Sequence, residues 1–280
     1  MDIQLMRQQV LELVQKYQYP LSVNDLQPSI RMKTVPRQEE MMALGETKIG
    51  GLPDLPGGTS WPEWQGISLP FIAQIRLIDL AHYDINQRLP RTGILSFFFD
   101  IDLYFSSPNS PSWKVLYCDD PSVQLKRTLV PHPASVPYED IVMPSCAVAF
   151  SLEITIPPFD SLSTKHIELQ EDYFELLEEV EHLYDMQPRP AIHRMLGHPD
   201  AIQNDMQVKC QQRWPQKDNA ISGKLAFEEE AKKWLLLLQI SWDKNIKRNW
   251  ADNGKLYYWI RPEDLDARRF DRVQFIHQCY

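Results

Sequence analysis

Residues 50–100 contain, in this order, the segments GGLPDLP (50–56), FIAQIRLIDL (71–80) and GILSFFFD (93–100). The first segment has the glycines and prolines of a tight turn, and the second is an apolar strand interrupted by one glutamine. The third opens on glycine and continues as a strand rich in phenylalanine. A degenerate copy of these features follows near the C-terminus, in GHPDAIQ (197–203), LLLQISWD (236–243) and GKLYYWI (254–260).

The repeated order of turn, glutamine-bearing strand and aromatic strand indicates an internal duplication. A further pair of strands, VLYC at 115–118 and VQFIHQC at 273–279, follows the two copies in the same order. The sequence therefore predicts an α+β fold with two related β-rich halves, each built on an antiparallel sheet with covering helices.

The two halves are expected at about 30–156 and 190–280, within a single domain of residues 1–280. A helical segment at 157–189 joins them, and it contains the clearest amphipathic helix, at 171–184. Six acidic residues occupy the polar side of that helix. This acidic side is either a solvated face or a surface that recruits a basic partner.

Other elements follow from periodicity and from the positions of glycine and proline. Helices are expected at 2–18, 224–234 and 262–267. Strands are expected at 30–35, 71–77, 93–100, 113–118, 122–130, 146–156, 235–241, 255–260 and 273–279.

Composition limits the class of function. The chain has 280 residues, 43% of them apolar and 24% charged, which is typical of a globular protein. A net charge of −9 argues against nucleic acid as a partner, because binding phosphates needs a basic face. None of the four cysteines forms a CxxC pair, so we expect reduced thiols in a cytoplasmic protein. The sequence has no apolar run long enough to predict a membrane segment.

The two glutamines, Gln74 and Gln239, are the most informative candidate residues. Each lies within an apolar strand, so its amide must find hydrogen-bond partners or cost about 1–3 kcal/mol. In a structural interpretation each amide ties its turn to the sheet. In a functional interpretation both amides face a shared groove between the halves and bind a peptide or a small ligand.

Five further residues are candidates for the same groove. Asp54 and Asp200 end the two Pro-Asp turns, where a carboxylate caps backbone amides. Trp61 and Trp64 lie in a proline-rich loop and Trp242 follows the second glutamine strand. Tryptophan favours binding hot spots, although these side chains would also serve to pin loops to the body of the protein.

Enzyme motifs are weak in this chain, and we expect neither a metal nor a cofactor. The glycines near residue 57 lack the lysine of a phosphate-binding loop. His193 and His198, even with Asp200, fit no standard zinc spacing. Asp100 and Asp102 form an Asp-x-Asp pair at a strand end, which would suit either a polar strand exit or a cation-dependent sugar-nucleotide site.

Several motifs together resemble the YwqG-like family, a bacterial domain of unknown function. They are GGLPDLP (50–56), AQI (73–75), MLGHPDAIQ (195–203), LLLQISWD (236–243) and DLDARRFDRVQFIHQCY (264–280). The resemblance covers nearly the whole chain and implies an α+β fold with two related halves. It also implies protein binding, to a toxin or to a ribosomal-protein-like client, but it assigns no binding residue.

We therefore expect a non-enzymatic protein-binding module, immunity-type or chaperone-like, with a groove between the two halves. The alternative is an enzyme that binds a small ligand or a nucleotide sugar through acidic residues such as Asp100 and Asp102. A deep pocket with converging titratable groups would favour the enzyme, whereas a broad groove or apolar patch would favour the binding module.

Overall fold

The computed structural model describes residues 2–106, 111–120, 123–131, 142–161, 169–185, 191–203, 205–214 and 223–280. Its strands are β1 (Gln27–Pro36), β2 (Lys48–Ile49), β3 (Asp54–Pro56), β4 (Glu63–Trp64), β5 (Ile67–Ser68), β6 (Phe71–Arg76), β7 (Ile94–Phe99), β8 (Trp113–Cys118), β9 (Leu125–Arg127), β10 (Cys146–Thr155), β11 (His193–Met195), β12 (Leu235–Ser241), β13 (Lys255–Ile260) and β14 (Gln274–Gln278).

Six α-helices are present among the described residues: α1 (Ile3–Lys16), α2 (Ile101–Ser106), α3 (Gln170–His182), α4 (Met206–Arg213), α5 (Lys224–Ala231) and α6 (Pro262–Asp266). Short 3-10 helices lie at Val23–Asp25, Glu39–Met41, Leu77–Leu80, Phe159–Ser161 and Phe270–Arg272. The α+β class is confirmed, and the helices predicted at 2–18, 171–184, 224–234 and 262–267 correspond to α1, α3, α5 and α6.

Ten strands form one antiparallel sheet in the order β14-β13-β12-β11-β1-β10-β2-β6-β7-β8. At its centre, β1 and β10 pair along ten residues, from Gln27 opposite Thr155 to Pro36 opposite Cys146. The outer edge of β1 then pairs with β11, and the outer edge of β10 pairs with β2. The strands of both expected halves therefore share one continuous sheet, where a separate sheet in each half was expected.

The sheet curls until its two edge strands meet. Trp113 of β8 donates a hydrogen bond from Nε1 to the carbonyl of Val273, at 2.9 Å, and its ring stacks on Phe275 of β14. The concave face encloses the main apolar core, which includes Leu95 and Phe97 from one side and Ile240 from the other. Trp113 therefore covers part of the two sheet edges, which would otherwise offer unpaired backbone groups to other chains.

Two helices, α1 and α3, pack together over one end of the central strands. Met6, Val10 and Val14 of α1 are buried together with Leu176 and Val180 of α3, against the ends of β1 and β10. Apolar residues at this spacing place one stripe of each helix on the sheet.

Two helices were not expected from the sequence, and each begins after an aspartate. The Asp205 carboxylate accepts hydrogen bonds from the backbone N–H groups of Gln207 and Val208, at 2.8 and 3.2 Å, and caps α4. Asp100 accepts a hydrogen bond from the N–H of Leu103, at 2.8 Å, in the first turn of α2. Asp100 therefore acts as a helix cap within the expected Asp-x-Asp pair.

The strand expected at 122–130 is shorter in the structure. It is reduced to β9, which pairs with β3, the strand directly after the first turn, in a separate two-stranded sheet. The segment that follows β9, PHPASVPYEDIVMP at 131–144, has four prolines and is predicted by its sequence to be a surface connection. Most of it lies outside the described residues.

Candidate binding site

Two turns with similar φ angles lie beside the central strands. Gly50 and Gly51 have φ angles of 75° and 70°, and Leu196 and Gly197 have φ angles of 62° and 69°. In each case a residue, a proline and an aspartate follow. Two consecutive left-handed residues bend the chain sharply, and the second of them is glycine in both turns, Gly51 and Gly197.

We expect Gly197→Ala to lower the free energy of unfolding by about 3 kcal/mol, from left-handed strain together with overpacking. A Cβ at this position would lie 2.5 Å from the Cβ of Ser29 and 2.9 Å from Oγ1 of Thr155. Gly58 is a matched control, because it has φ +84° with nothing within 4 Å of the added carbon. Gly58→Ala should cost about 1 kcal/mol in urea denaturation, and equal losses would contradict the close packing at Gly197.

Gln239 locks the second turn to the sheet. Its Oε1 accepts a hydrogen bond from the backbone N–H of Asp200, and its Nε2 donates to the carbonyl of Ile192, both at 2.9 Å. The side chain is 0% exposed. Both polar ends of the amide are used inside the protein, as the structural interpretation requires.

Gln74 makes the corresponding contacts in the first turn. Its Oε1 accepts from the N–H of Asp54 at 2.7 Å, and its Nε2 donates to the carbonyl of Glu46 at 2.9 Å. The same Nε2 lies 3.1 Å from Oδ2 of Asp54. Gln74 is also 0% exposed. Neither glutamine lines any of the cavities described below.

The aspartates that end the two turns are held by cations. Asp54 is buried, with Nζ of Lys48 at 3.1 Å and Nε of Arg127 at 2.9 Å. Burial raises the pKa of Asp54, but the hydrogen bond from Arg127 and the charge of Lys48 outweigh burial and hold that pKa below its usual value. Asp200 forms the corresponding ion pair with Lys255 of β13.

The tryptophan candidates have different environments. The indole N–H of Trp61 donates to the carbonyl of Leu69 at 2.9 Å, and the ring packs edge-on against Phe98. Trp64 is half-buried against the same apolar cluster. These two side chains therefore pin the proline-rich loop to the sheet, whereas Trp242 is 43% exposed.

His193 and His198, which fit no standard zinc spacing in the sequence, lie in separate hydrogen-bond networks. His193 is buried, with Nε2 3.2 Å from a carboxylate oxygen of Asp243, and its Nδ1 accepts from the N–H of Ser241. The Nε2 of His198 lies 2.7 Å from the carbonyl of Asp25. Burial lowers the pKa of His198 to about 4, so this ring is neutral at physiological pH.

A cavity of about 380 Å³ lies between α3 and the second turn, and we call it the α3 cavity. Its walls are mostly apolar. They comprise Tyr173, Phe174, Leu177 and Val180 of α3, Ile156, Pro158 and Phe159 after β10, and Pro199, Ala201 and Ile202 after the turn. The hydroxyl of Tyr173 donates to the carbonyl of Pro157 at 3.0 Å, which leaves the ring as an apolar surface.

Charged side chains at the inner end of the α3 cavity are paired with one another. Arg194 lies 3.0 Å from a carboxylate oxygen of Glu181 and 2.9 Å from one of Glu153. Arg31 bonds the same two carboxylates, at 2.6 Å and 2.9 Å. Two arginines and two glutamates balance in charge, and their mutual bonds hold Glu181 and Arg194 in the cavity wall.

The rim of the α3 cavity combines an exposed aromatic ring with negative charge. Phe174 lines the cavity and is nevertheless 53% exposed. Glu171, Glu175 and Glu178 are exposed on the next face of α3. Residues three and four apart lie side by side on a helix, so these carboxylates form a ridge along the flank of Phe174, which we call the acidic ridge.

Of the predicted site residues, only Asp200 lines the α3 cavity. The residue that the sequence prediction missed is Phe174. The sequence could have indicated Phe174 as a candidate. The apolar stripe of Tyr173, Leu177 and Val180 predicts the buried face of the helix, and Phe174 is an aromatic residue outside that stripe. An aromatic side chain next to that stripe widens the apolar face beyond what packing on the sheet needs.

Comparison with known families identifies a matching domain family. The model of a domain of unknown function, DUF1963, matches residues 47–279. The chain belongs to the DUF1963 family. The DUF1963 match spans β2 to β14 and so includes both turns, both glutamines and the α3 cavity, while α1 and β1 precede it. A search of curated proteins finds none that matches the chain.

The DUF1963 description assigns no function and no binding residue, so the site must be argued from its geometry. In the part of the chain that the structure describes, no helix combines the length and apolar character needed to cross a membrane.

Proposed function

We propose that this protein is a non-enzymatic binding module for a basic polypeptide, which docks an apolar side chain in the α3 cavity. The observation that carries the proposal is Phe174, an aromatic ring that is 53% exposed at the mouth of an apolar cavity. Binding hot spots are typically aromatic side chains that meet a desolvated pocket on the partner. The open side of the cavity is the place where a partner side chain would complete that packing.

Charge supports a basic partner. The chain carries a net charge of −9, and Glu171, Glu175 and Glu178 form the acidic ridge on the same helix as Phe174. Complementary charges accelerate encounter and select partners, while the apolar contact supplies affinity. Lysine or arginine side chains on either side of an anchoring apolar residue would lie along this ridge.

We further infer that the fold arose by internal duplication. The repeated features support this inference: two turns with paired left-handed residues, two glutamines with matching hydrogen bonds, and a β-bulge just before each glutamine. The close approach of Gly197 to Ser29 has a counterpart in Gly51, whose added Cβ would lie 3.0 Å from Ser145.

In this duplication each unit contributes its first strand to the other. β1 pairs with β11 and β10 pairs with β2, so we assign β10 to the second unit, ahead of the boundary near residue 190 that the sequence suggests. We also propose that the chain is a YwqG-like member of its family and that it acts in the cytoplasm as an immunity-type or chaperone-like protein.

The substitution Phe174→Glu tests the proposed site. We expect it to reduce recovery of the basic partner at least tenfold when the tagged chain is purified from its source cells, because it removes the anchor and places a charge at an apolar mouth. The readout is isotope-labelled mass spectrometry of the copurified proteins. Circular dichroism should show an unchanged fold, since Phe174 is half-exposed.

Leu225→Glu is the matched control, because Leu225 is 79% exposed on α5 and does not line the α3 cavity. It should retain the partner. Partner recovery that is equal with Phe174→Glu and with the wild-type chain would contradict the proposal, as would a recovered partner that is acidic.

A further inference from the structure

A second cavity, of about 240 Å³, lies between the N-terminal and C-terminal parts of the fold, and we call it the Arg7 cavity. Arg7 of α1 and Arg88 of the loop before β7 line it on one side. Gly197 of the second turn and Lys232, just after α5, line it on the other side. The cavity is separate from the Phe174 mouth of the α3 cavity, although Pro199 borders both.

The Arg7 cavity is cationic in an acidic protein. Within the described residues, neither Arg7 nor Arg88 has a carboxylate partner, and Lys232 pairs at 2.8 Å with Glu229 on the surface. The acid in the cavity wall, Asp84, is engaged by its own loop. Its two oxygens accept hydrogen bonds from the backbone N–H groups of Arg88 and Leu89, at 3.0 and 2.7 Å.

Two buried donors in the wall of the Arg7 cavity lack an acceptor in the described part of the chain. They are Nε of Arg7 and Nε1 of Trp259, and the Trp259 side chain is only 1% exposed. Buried N–H groups in folded proteins almost always have a partner, and an unmade bond costs about 1–3 kcal/mol. A ligand with acceptor oxygens would satisfy these donors.

The remaining walls suit a planar apolar group. Tyr83, Trp234 and Trp259 contribute aromatic surface. His198 also lines the cavity, but its bond to the carbonyl of Asp25 and its low pKa of about 4 keep it uncharged. Positive charge in this cavity therefore comes from the arginines and the lysine.

We propose that the Arg7 cavity binds a small organic oxyanion, a carboxylate or phosphate attached to a planar apolar group. The oxyanion lies against Arg7 and Arg88 and accepts hydrogen bonds from Nε of Arg7 and Nε1 of Trp259. The planar group packs on the aromatic wall. This site is independent of the polypeptide site at Phe174. Its ligand is a metabolite-sized anion, whereas the polypeptide partner is a cation.

Phenyl phosphate, benzoate, inorganic phosphate and phenol are suitable probes. We expect phenyl phosphate or benzoate to change the tryptophan fluorescence of the full chain and to raise its melting temperature, because Trp234 and Trp259 line the cavity. Inorganic phosphate and phenol should each bind at least tenfold more weakly. The comparison of phenyl phosphate with benzoate distinguishes the two oxyanion classes.

Variants separate this site from non-specific charge effects. Arg7→Gln and Arg88→Gln should each weaken binding of the better probe at least tenfold. Arg91→Gln, three residues from Arg88 but outside the cavity wall, should change it by less than twofold. Arg88 is exposed, so its variant remains informative if Arg7→Gln fails to fold.

Three results would overturn the assignment. The first is the failure of both organic anions to bind at millimolar concentration. The second is binding of phenol as tight as that of the better of the two organic anions, and the third is equal affinity in Arg88→Gln and the wild-type chain.

Discussion

Gln239→Leu should lower the free energy of unfolding by about 3–5 kcal/mol, and Gln74→Leu should lower it by at least as much. Leucine leaves the N–H of Asp200 and the carbonyl of Ile192 buried without their partners, at about 1–3 kcal/mol for each unmet group. Gln74→Leu likewise leaves the N–H of Asp54 and the carbonyl of Glu46 without their hydrogen-bond partners. It also removes a donor to the Asp54 carboxylate.

Urea denaturation of the two variants measures this effect. Gln8→Leu is the matched control, because Gln8 is exposed on α1 and its side-chain amide donates to the neighbouring Glu12 carboxylate, at 3.0 Å. Its expected cost is under about 0.5 kcal/mol. If Gln74→Leu or Gln239→Leu unfolded at the wild-type urea concentration but lost partner binding, the glutamine would belong to a binding site.

Lys48→Met should cost about 3–5 kcal/mol, the range found when one partner of a buried ion pair is removed. Lys48 is 0% exposed, and its Nζ lies 2.8 Å from a carboxylate oxygen of Glu39 and 3.1 Å from one of Asp54. Methionine fills the same space without the charge, so among the described residues Arg127 is the cationic partner that Asp54 and Glu39 keep.

The pH dependence of stability gives a second readout for Lys48→Met. The pKa of Asp54 in the folded protein is below its unfolded value of 3.8. The contribution of ionised Asp54 to the free energy of unfolding is therefore present above pH 3.8, and it is lost as the pH falls through the pKa of the folded protein. Removing Lys48 raises that folded pKa, so the variant should lose less stability between pH 7 and pH 3 than the wild-type chain does.

Lys16→Met provides the control for this prediction. Lys16 pairs with Glu179 at 2.6 Å, but its side chain is 57% exposed. We expect an unchanged melting temperature, because exposed ion pairs contribute little. A Lys48→Met variant that melts like Lys16→Met would contradict the importance of the buried ion cluster.

Local pattern was sufficient to predict most of the elements. Apolar alternation and turn residues located β6, β7, β10, β12, β13 and β14 to within about two residues. Helix α4 was missed because its sequence, MQVKCQQR, has no continuous apolar stripe, and its signal lay in the capping residue Asp205.

The arrangement of the central strands could not be predicted from local pattern. Pairing of β1 with both β10 and β11 joins segments more than a hundred residues apart, and a strand's own alternation does not identify its neighbours. For this reason the sequence led to the expectation of a separate sheet in each half.

Of the candidate site, the sequence predicted the buried glutamine amides but not the α3 cavity. A glutamine in an apolar strand indicates a buried amide with obligatory partners, and both amides have them. The α3 cavity could not be predicted, because Phe174, Phe159 and Ile202 meet only once the chain has folded. Sequence alone likewise left open whether the acidic side of the helix at 171–184 is a solvated face or a docking surface.

Photo-crosslinking from position 174 tests the proposed docking site most directly. A photoreactive phenylalanine analogue at Phe174, activated in the source cells, should give one predominant adduct with a basic protein. The same analogue at Leu225 should give none, and replacing Glu171, Glu175 and Glu178 by glutamine should reduce the adduct at 174. An acidic adduct, or adducts of equal yield at 174 and 225, would contradict binding of a basic polypeptide at the α3 cavity.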